Sequence, residues 1–205
     1  MGDGDMSIAA IADALAERRP GHTLRVAVDG RTAAGKTTFA ARLADALRSR
    51  GREVLQAGID GFHNPRAVRY ARGRMSAEGY YRDARDLPTL RAWLLEPLGP
   101  GGSGRYATAS LDLETDTSLE PQWREAPQDL ILIVDGTFLQ RPELSECWDS
   151  VIFLHVGAEV SRARGTARDG AEMAEAYAKR YLPAYDLYLS EVDPMARAEW
   201  VVDNG

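Results

Sequence analysis

Apolar residues along the chain form two kinds of pattern, continuous runs and stripes at helical spacing. The runs at 130–134 and 151–156 are almost entirely apolar, which is typical of strands buried on both faces of a parallel sheet. Residues 24–28, 53–59 and 200–202 are predicted as further strands.

Helical spacing appears between these strands. Apolar stripes predict helices at 8–15, 37–50, 87–95 and 174–181. Residues 105–113 alternate only in part and are predicted to be one arm of a hairpin. Strands that alternate with helices indicate a doubly wound α/β sheet.

A glycine-rich segment joins the first predicted strand to the helix that follows it. The segment matches the phosphate-loop (Walker A) pattern G-x-x-x-x-G-K-[ST] at every fixed position. Glycines let successive backbone N–H groups point at phosphates, and the helix adds the positive end of its dipole. We expect Lys36 to reach the β- and γ-phosphates of ATP, and the Thr37 hydroxyl to bind Mg²⁺. The predicted nucleotide-binding residues are Gly30, Arg31, Thr32, Ala33, Ala34, Gly35, Lys36, Thr37 and Thr38.

Three predicted strands end in aspartate: Asp29 before the phosphate loop, Asp60 after the second strand, and Asp135 after residues 131–134. Ligands of open α/β sheets bind at the carboxyl ends of the strands. Asp135-Gly136 has the form of a Walker B acid and is predicted to hold Mg²⁺ with Thr37, although Asp-Gly is also a turn pair. Asp60 is predicted to take or orient the proton of an acceptor hydroxyl, with a helix cap as the alternative.

Arginines and aromatic residues mark two further candidate regions. Arg164 and Arg168 are four residues apart and share a predicted helix face, where a lid could neutralise charge on the transferred phosphoryl group. Without the phosphate loop, a solvated charged face would be the preferred interpretation. The segment 62–113 interrupts the strand–helix alternation with charged and aromatic residues, which predicts an acceptor site containing His63, Arg66, Tyr81, Asp83 and Tyr106.

Taken as a set, these motifs resemble the uridine kinase family and its relatives, the nucleoside, ribulose-phosphate and pantothenate kinases. The resemblance spans roughly residues 24 to 204. It is carried by the phosphate loop with Thr38, Gly58 to His63, Gly79 to Asp86, Glu96-Pro97-Leu98, Asp135 to Leu139, and Arg164 with Arg168-Asp169.

The resemblance implies a P-loop NTPase-type three-layer sandwich, with a five-stranded parallel sheet, helices on both faces, and a small lid and hairpin region. It implies that Asp60 is the catalytic carboxylate, that Asp83 grips a hydroxyl pair, and that Tyr106 lies on a hairpin covering the substrate. It also makes Arg164 and Arg168 lid arginines, which together with Asp60 and Lys36 complete the predicted catalytic set.

The sequence departs from the family at informative places. Residues 106–110 lack the aromatic and histidine side chains that a uridine kinase places around the pyrimidine, and the lid carries Arg164-Gly165 instead of two arginines. The predicted function is an ATP- and Mg²⁺-dependent kinase acting on a hydroxyl of a nucleoside-like acceptor. Pantothenate, sugar-phosphate and vitamin kinases, or a non-kinase P-loop ATPase or switch, remain alternatives.

Length, composition and charge restrict the domain organisation, the partners and the location of the protein. The 205 residues suit a single P-loop kinase domain (1–205), with an acceptor region at 62–113 and a lid at 160–182. A net charge of −6 disfavours a general nucleic-acid binder, and no apolar run approaches a membrane span. The single cysteine excludes an internal disulfide framework, so a cytoplasmic protein is expected. The expected partners are a small-molecule acceptor and, where the chain assembles, further copies of itself.

Overall fold

The structure is a computed structural model that describes residues 7–205. Residues 1–6 of the predicted domain lie outside the described range. Strands within that range are, in chain order, β1 (Leu24–Gly30), β2 (Val54–Gly58), β3 (Arg105–Tyr106), β4 (Leu111–Asp112), β5 (Thr117–Ser118), β6 (Arg124–Glu125), β7 (Ile131–Gly136), β8 (Ser150–His155) and β9 (Trp200–Asp203).

Helices precede, separate and follow these strands. The α-helices are α1 (Ile8–Ala16), α2 (Lys36–Arg48), α3 (Arg66–Arg69), α4 (Ala77–Arg82), α5 (Leu87–Leu90), α6 (Ala158–Asp169), α7 (Ala174–Ala176), α8 (Leu182–Glu191) and α9 (Pro194–Arg197). Two wider π-helical turns continue α5 and α7, at Arg91–Leu95 and Tyr177–Tyr181. In residues 7–205, no helix has both the length and the apolar character needed to cross a membrane.

Five strands form the central sheet in the order β2-β7-β1-β8-β9, and every pairing in it is parallel. The predicted α/β three-layer architecture is confirmed. Because consecutive side chains of a strand point to opposite faces, each central strand supplies two hydrophobic layers. Val26, Val28 and Ile133 pack with α1 and α2 on one face, whereas Leu132 and Val134 pack with Leu94 on the other.

The predicted hairpin is shorter and more divided than expected. Residues 105–113 contain two separate short strands, β3 and β4, which pair antiparallel with β6 and β5. Tyr106 is buried in the layer beneath the sheet, and Ser110 donates its backbone N–H to Gly61 O at 2.9 Å. The partial alternation in the sequence therefore reflects two short ladders instead of one continuous strand.

A third hydrophobic cluster is aromatic and lies near the carboxyl ends of the strands. Phe138, in the loop after β7, contacts the rings of Tyr80, Tyr81 and Tyr188 edge-on, with centroids 5.0 to 5.6 Å apart. Edge-to-face contact suits the quadrupoles of such rings. This cluster fixes α4 and α8 against each other beside the phosphate loop.

Candidate functional site

The phosphate loop connects β1 to α2 through a backbone that favours glycine. Gly35 has a φ of 85°, and a Cβ atom there would lie 2.8 Å from Nδ2 of Asn204. At Gly30, a Cβ atom would lie 2.6 Å from the carbonyl oxygen of Leu154. Both fixed glycines of the motif are therefore required by the close packing of β8 and β9, as well as by the curl of the loop.

Side chains from distant segments hold this loop in place. Asn204, which follows β9, donates its side-chain amide to Ala34 O at 2.8 Å. Ser161 on α6 donates its hydroxyl to Thr32 O at 2.7 Å. The loop is thus tied both to the sheet and to the predicted lid.

Lys36 lies in the loop with its charge largely desolvated. Its Nζ donates to Arg31 O at 2.5 Å. Burial lowers the pKa of Lys36 to about 8, although Asp29, Asp60 and Asp135 oppose that shift. An anion brought next to Nζ would stabilise the charged form, as expected of a lysine that binds phosphate.

Asp29 anchors the loop from beneath instead of facing a ligand. Its carboxylate is fully buried and accepts hydrogen bonds from the Gly30 N–H at 2.8 Å, the Tyr188 hydroxyl at 2.6 Å and the Gln140 amide at 3.2 Å. Burial raises its pKa, and these hydrogen bonds partly counteract the shift. The strand-end aspartates therefore differ in role, because Asp29 has no access to solvent.

Tyr188→Phe is expected to destabilise the protein, because it removes a donor from the buried Asp29 carboxylate. An unsatisfied buried polar group costs about 1–3 kcal/mol, and the cost is greater for a charged one. Urea unfolding at pH 7 measures this loss. Tyr181→Phe is a matched control on the same chain segment, since Asp29 accepts no hydrogen bond from Tyr181. Equal stability of the two variants would contradict this anchoring role.

Thr37 and Asp135 meet at the carboxyl edge of the sheet. The Thr37 hydroxyl donates to Asp135 Oδ2 at 2.6 Å, and both residues line a cavity of about 380 Å³. Among the side chains that the structure describes, no three from His, Cys, Asp or Glu converge on a common metal position. One carboxylate and one hydroxyl nevertheless fit Mg²⁺ in a nucleotide site, because this ion usually takes one or two carboxylates together with phosphates and waters.

Asp60 follows β2 in a turn and joins a small polar network. Arg85 Nη2 donates to Asp60 Oδ1 at 2.6 Å, and Arg85 Nη1 donates to His63 Nε2 at 2.5 Å. Because a guanidinium only donates, His63 Nε2 is the acceptor, and its Nδ1 carries the proton donated to Asp60 O at 2.9 Å. The network assigns His63 as a neutral imidazole of defined tautomer.

Charges in this network shift the pKa values of both Asp60 and His63. Burial raises the pKa of Asp60, but Arg85, His63 and Lys36 together bring it below its usual value. Burial and the adjacent Arg85 lower the pKa of His63 to about 4. Asp60 is therefore ionised and His63 neutral at pH 7.

His63 is expected to make the fold sensitive to acid. Its folded pKa of about 4 lies below the unfolded value near 6.5, so the unfolded chain binds more protons between these pH values. Stability from this group is fully present above pH 6.5 and is lost as the pH falls towards 4. Between pH 7 and pH 5, the melting temperature of His63→Gln should therefore fall less than that of the wild type, as measured by circular dichroism. His155→Gln, on β8, is the control, and an unchanged pH profile in His63→Gln would contradict the assignment.

A large cavity of about 690 Å³ opens between the phosphate loop, the Asp60 network and the predicted lid. Its wall contains Thr32, Asp60, His63, Arg66, Arg69, Tyr70, Arg74, Tyr80, Arg85, Leu113, Arg168, Asp169, Arg180 and Tyr181. Asp60 also lines the smaller cavity with Thr37 and Asp135. One carboxylate thus lies where the two cavities meet.

The predicted lid is built around a glycine. Tyr177 packs its ring on Gly165 of α6 so closely that a Cβ atom at Gly165 would overlap the ring. The Tyr177 hydroxyl donates to Asp169 Oδ2 at 2.9 Å, and Asp169 pairs with Arg168 at 2.6 Å. Gly165, where the resemblance implied a second lid arginine, therefore gives space to a tyrosine that helps to position Arg168-Asp169.

The structure brings some of the predicted site residues together and separates others. His63, Arg66 and Arg168 line the large cavity with Asp60. Arg164 lies elsewhere, in a cavity of about 220 Å³ with Gly35, Thr38 and other residues.

The remaining acceptor residues have other neighbours. Tyr106 is buried in the hydrophobic layer, and Tyr81 is buried with its hydroxyl donating to Glu191 at 2.8 Å. Asp83 accepts from Arg72 at 2.7 Å. None of these three side chains lines the large cavity, so their acceptor roles stay predictions without support from this geometry.

The cavity residues that were not in the predicted acceptor site include Tyr70, Arg74, Arg85 and Arg180. Arg85 lies in the segment 79–86 that carries the family resemblance, so the sequence could have identified it as a candidate site residue. The density of arginines between residues 66 and 91 was the other usable signal. Arg180 lies over 100 residues from Arg74 in sequence, yet it donates to the Arg74 carbonyl at 2.6 Å, a contact that only the fold creates.

Solved structures with this fold include kinases and candidate kinases. A possible uridine kinase from Bacillus stearothermophilus matches with a TM-score of 0.75 and 27% identity, covering 96% of this chain and 97% of that one. A candidate fructose transport system kinase from Silicibacter sp. TM1040 gives a TM-score of 0.77 at 23% identity, covering 96% and 98%. A D-glycerate 3-kinase from Cryptococcus neoformans matches with a TM-score of 0.60 and 14% identity, covering 100% of this chain and 97% of that one.

No protein-family model and no curated protein sequence matches the chain. The similarity is therefore carried by the three-dimensional fold, which spans nearly the whole length of these structures. The resemblance to uridine kinase-like P-loop proteins indicated by the motifs is confirmed.

Proposed function

We propose that this chain, whose fold is that of the P-loop kinases, is an ATP-dependent phosphotransferase with a small-molecule hydroxyl as acceptor. The observation that carries the proposal is the position of Asp60. It lines both the cavity containing Thr37 and Asp135 and the large cavity that reaches Thr32 of the phosphate loop. A carboxylate at that junction can contact an acceptor hydroxyl beside the phosphate-binding loop.

Each part of the site has a task in this scheme. The phosphate loop and Lys36 would hold the phosphates of ATP, and Thr37 with Asp135 would hold Mg²⁺. When bound, Mg²⁺ supplies positive charge that neutralises the phosphates. Arg168, on the lid side of the large cavity, is available to approach the transferred group once it leaves Asp169.

Asp60 acts on the acceptor hydroxyl. In the transfer, the hydroxyl oxygen forms a new bond to the γ-phosphorus as the bond to the β-phosphate oxygen breaks, and the hydroxyl proton passes to Asp60. The low pKa of Asp60 makes it a weak base. The loose transition state of phosphoryl transfer requires little early proton removal, so Asp60 contributes mainly by aligning the hydroxyl.

The family resemblance suggests a nucleoside-like acceptor, and pantothenate, sugar-phosphate and vitamin kinases are the alternatives within the same chemistry. The experiment is an ADP-release assay of the purified chain with Mg-ATP, with and without nucleosides, pantothenate, sugar phosphates and vitamin precursors. Release that depends on one class of acceptor supports a kinase. Equal release without any acceptor would instead identify a P-loop ATPase or switch.

A further inference from the structure

The large cavity carries more positive charge than its acidic residues balance. Its wall holds six arginines and two aspartates. Arg85 pairs with Asp60, Arg168 pairs with Asp169, and Arg69 pairs with Asp116 at 2.7 Å. Among the described side chains, Arg74 and Arg180 have no carboxylate within 4.0 Å, the limit for an ion pair.

Arg180 is the more informative of the two arginines, because only 7% of its surface is exposed. One of its nitrogens, Nη1, donates to Arg74 O at 2.6 Å, while its Nε has no hydrogen-bond partner among the described atoms. Charged side chains are rarely buried without a counter-ion. A guanidinium held in this way is prepared for an oxyanion, which it can bind with two parallel hydrogen bonds.

The ring of Tyr70 holds this cationic cluster together. The guanidinium carbons of Arg69, Arg74 and Arg180 lie 5.1, 5.9 and 5.0 Å from its centroid. Burial raises the pKa of Tyr70, but the adjacent Arg69 and Arg180 bring it below its ordinary value. The surroundings of Tyr70 therefore favour negative charge.

We infer that the acceptor carries an anionic group, a phosphate or a carboxylate, which Arg74 and Arg180 bind beside Tyr70. This inference rests on the proposed function, since it names the acceptor class of the same site. The acceptor then spans the cavity, with its oxyanion at the arginines and its hydroxyl at Asp60. A volume of about 690 Å³ is sufficient for a metabolite-sized molecule. A neutral nucleoside would leave both arginines without a counter-ion.

The first test measures anion binding directly. The protein is saturated with Mg²⁺ and a non-hydrolysable ATP analogue, so that the phosphate loop is occupied. Inorganic phosphate and acetate are then titrated in a thermal-shift assay at constant ionic strength. We expect at least one of the two to raise the melting temperature of the wild type. In Arg74→Gln the apparent affinity should fall about 10- to 100-fold, the value of one charged hydrogen bond.

Two further variants complete this test. Arg180→Lys keeps the charge but loses the planar fork, and should also weaken anion binding. Arg162→Gln is the matched control, because Arg162 lies exposed on α6 and pairs only with Glu159 there. Binding that is absent in the wild type, or unchanged in both Arg74→Gln and Arg180→Lys, would overturn the inference.

The second test compares acceptors that share a skeleton but differ in charge. Ribose 5-phosphate is compared with ribose, glycerate with glycerol, and pantothenate with pantothenol, in the ADP-release assay. We expect the anionic member of an active pair to have the higher kcat/KM, and the pair that responds distinguishes phosphate from carboxylate. Efficient turnover of uridine or a neutral partner would overturn the inference while leaving the kinase proposal intact. If the wild-type protein did not bind Mg-ATP at all, the proposed function itself would be refuted.

Discussion

Asp60→Asn is expected to lower kcat by about 10²–10⁴, the usual contribution of a positioned general base. The substitution keeps the shape of the side chain and removes the charge that aligns the acceptor hydroxyl. Mg-ATP affinity should barely change, because the phosphate loop and the Thr37–Asp135 pair are untouched. Steady-state ADP release with varied ATP and acceptor measures both quantities.

The control for this variant is Asp13→Asn. Asp13 on α1 also pairs with an arginine, Arg50 at 2.7 Å, but lies outside both cavities, so its loss should leave kcat unchanged. The competing carboxylate is Asp135. Near-normal kcat in Asp60→Asn, with a collapse in Asp135→Asn at unchanged Mg²⁺ affinity, would show that the two roles are reversed.

Lys36→Ala should reduce kcat/KM for ATP by about 10²–10³, because it deletes a charge placed against the phosphates. The fold should survive, since burial already disfavours the charged form of Lys36 and lowers its pKa to about 8. ADP release measures the first effect, and thermal unfolding followed by circular dichroism measures the second.

The other lysine of the chain provides the comparison. Lys179 is exposed and pairs with Glu175 at 2.8 Å on the outer side of the lid. Lys179→Ala should retain wild-type turnover. If Lys36→Ala also retained it, the phosphate loop would not be the nucleotide site.

The central fold follows from local sequence patterns. The buried runs at 131–136 and 150–155 lie in the middle of the sheet, where both faces are covered and alternation disappears. The phosphate loop is equally local, because strand, glycines, lysine and helix are consecutive. Asp60 and Asp135 were predictable for a related reason: parallel strands end at one edge, so residues that follow them meet there.

The acceptor cavity could not be predicted in the same way. Arg180 and Tyr70 are brought together by packing between α4, α8 and the turn at Tyr177–Tyr181, and no spacing in the sequence encodes that contact. Tyr81 and Tyr106 show the same difficulty from the other side. Aromatic residues in an irregular segment were predicted to face a ligand, whereas burial of their large apolar surface placed them in the core.

The packing of Tyr177 on Gly165 makes these two positions interdependent. A relative that carries arginine at the position of Gly165 needs a smaller side chain at the position of Tyr177, so substitutions at the two sites should covary. Protein engineers who transplant a two-arginine lid into this chain should therefore exchange residues 158–181 as one unit. Changing Gly165 alone would displace the tyrosine that hydrogen-bonds Asp169, and with it Arg168, which pairs with that aspartate.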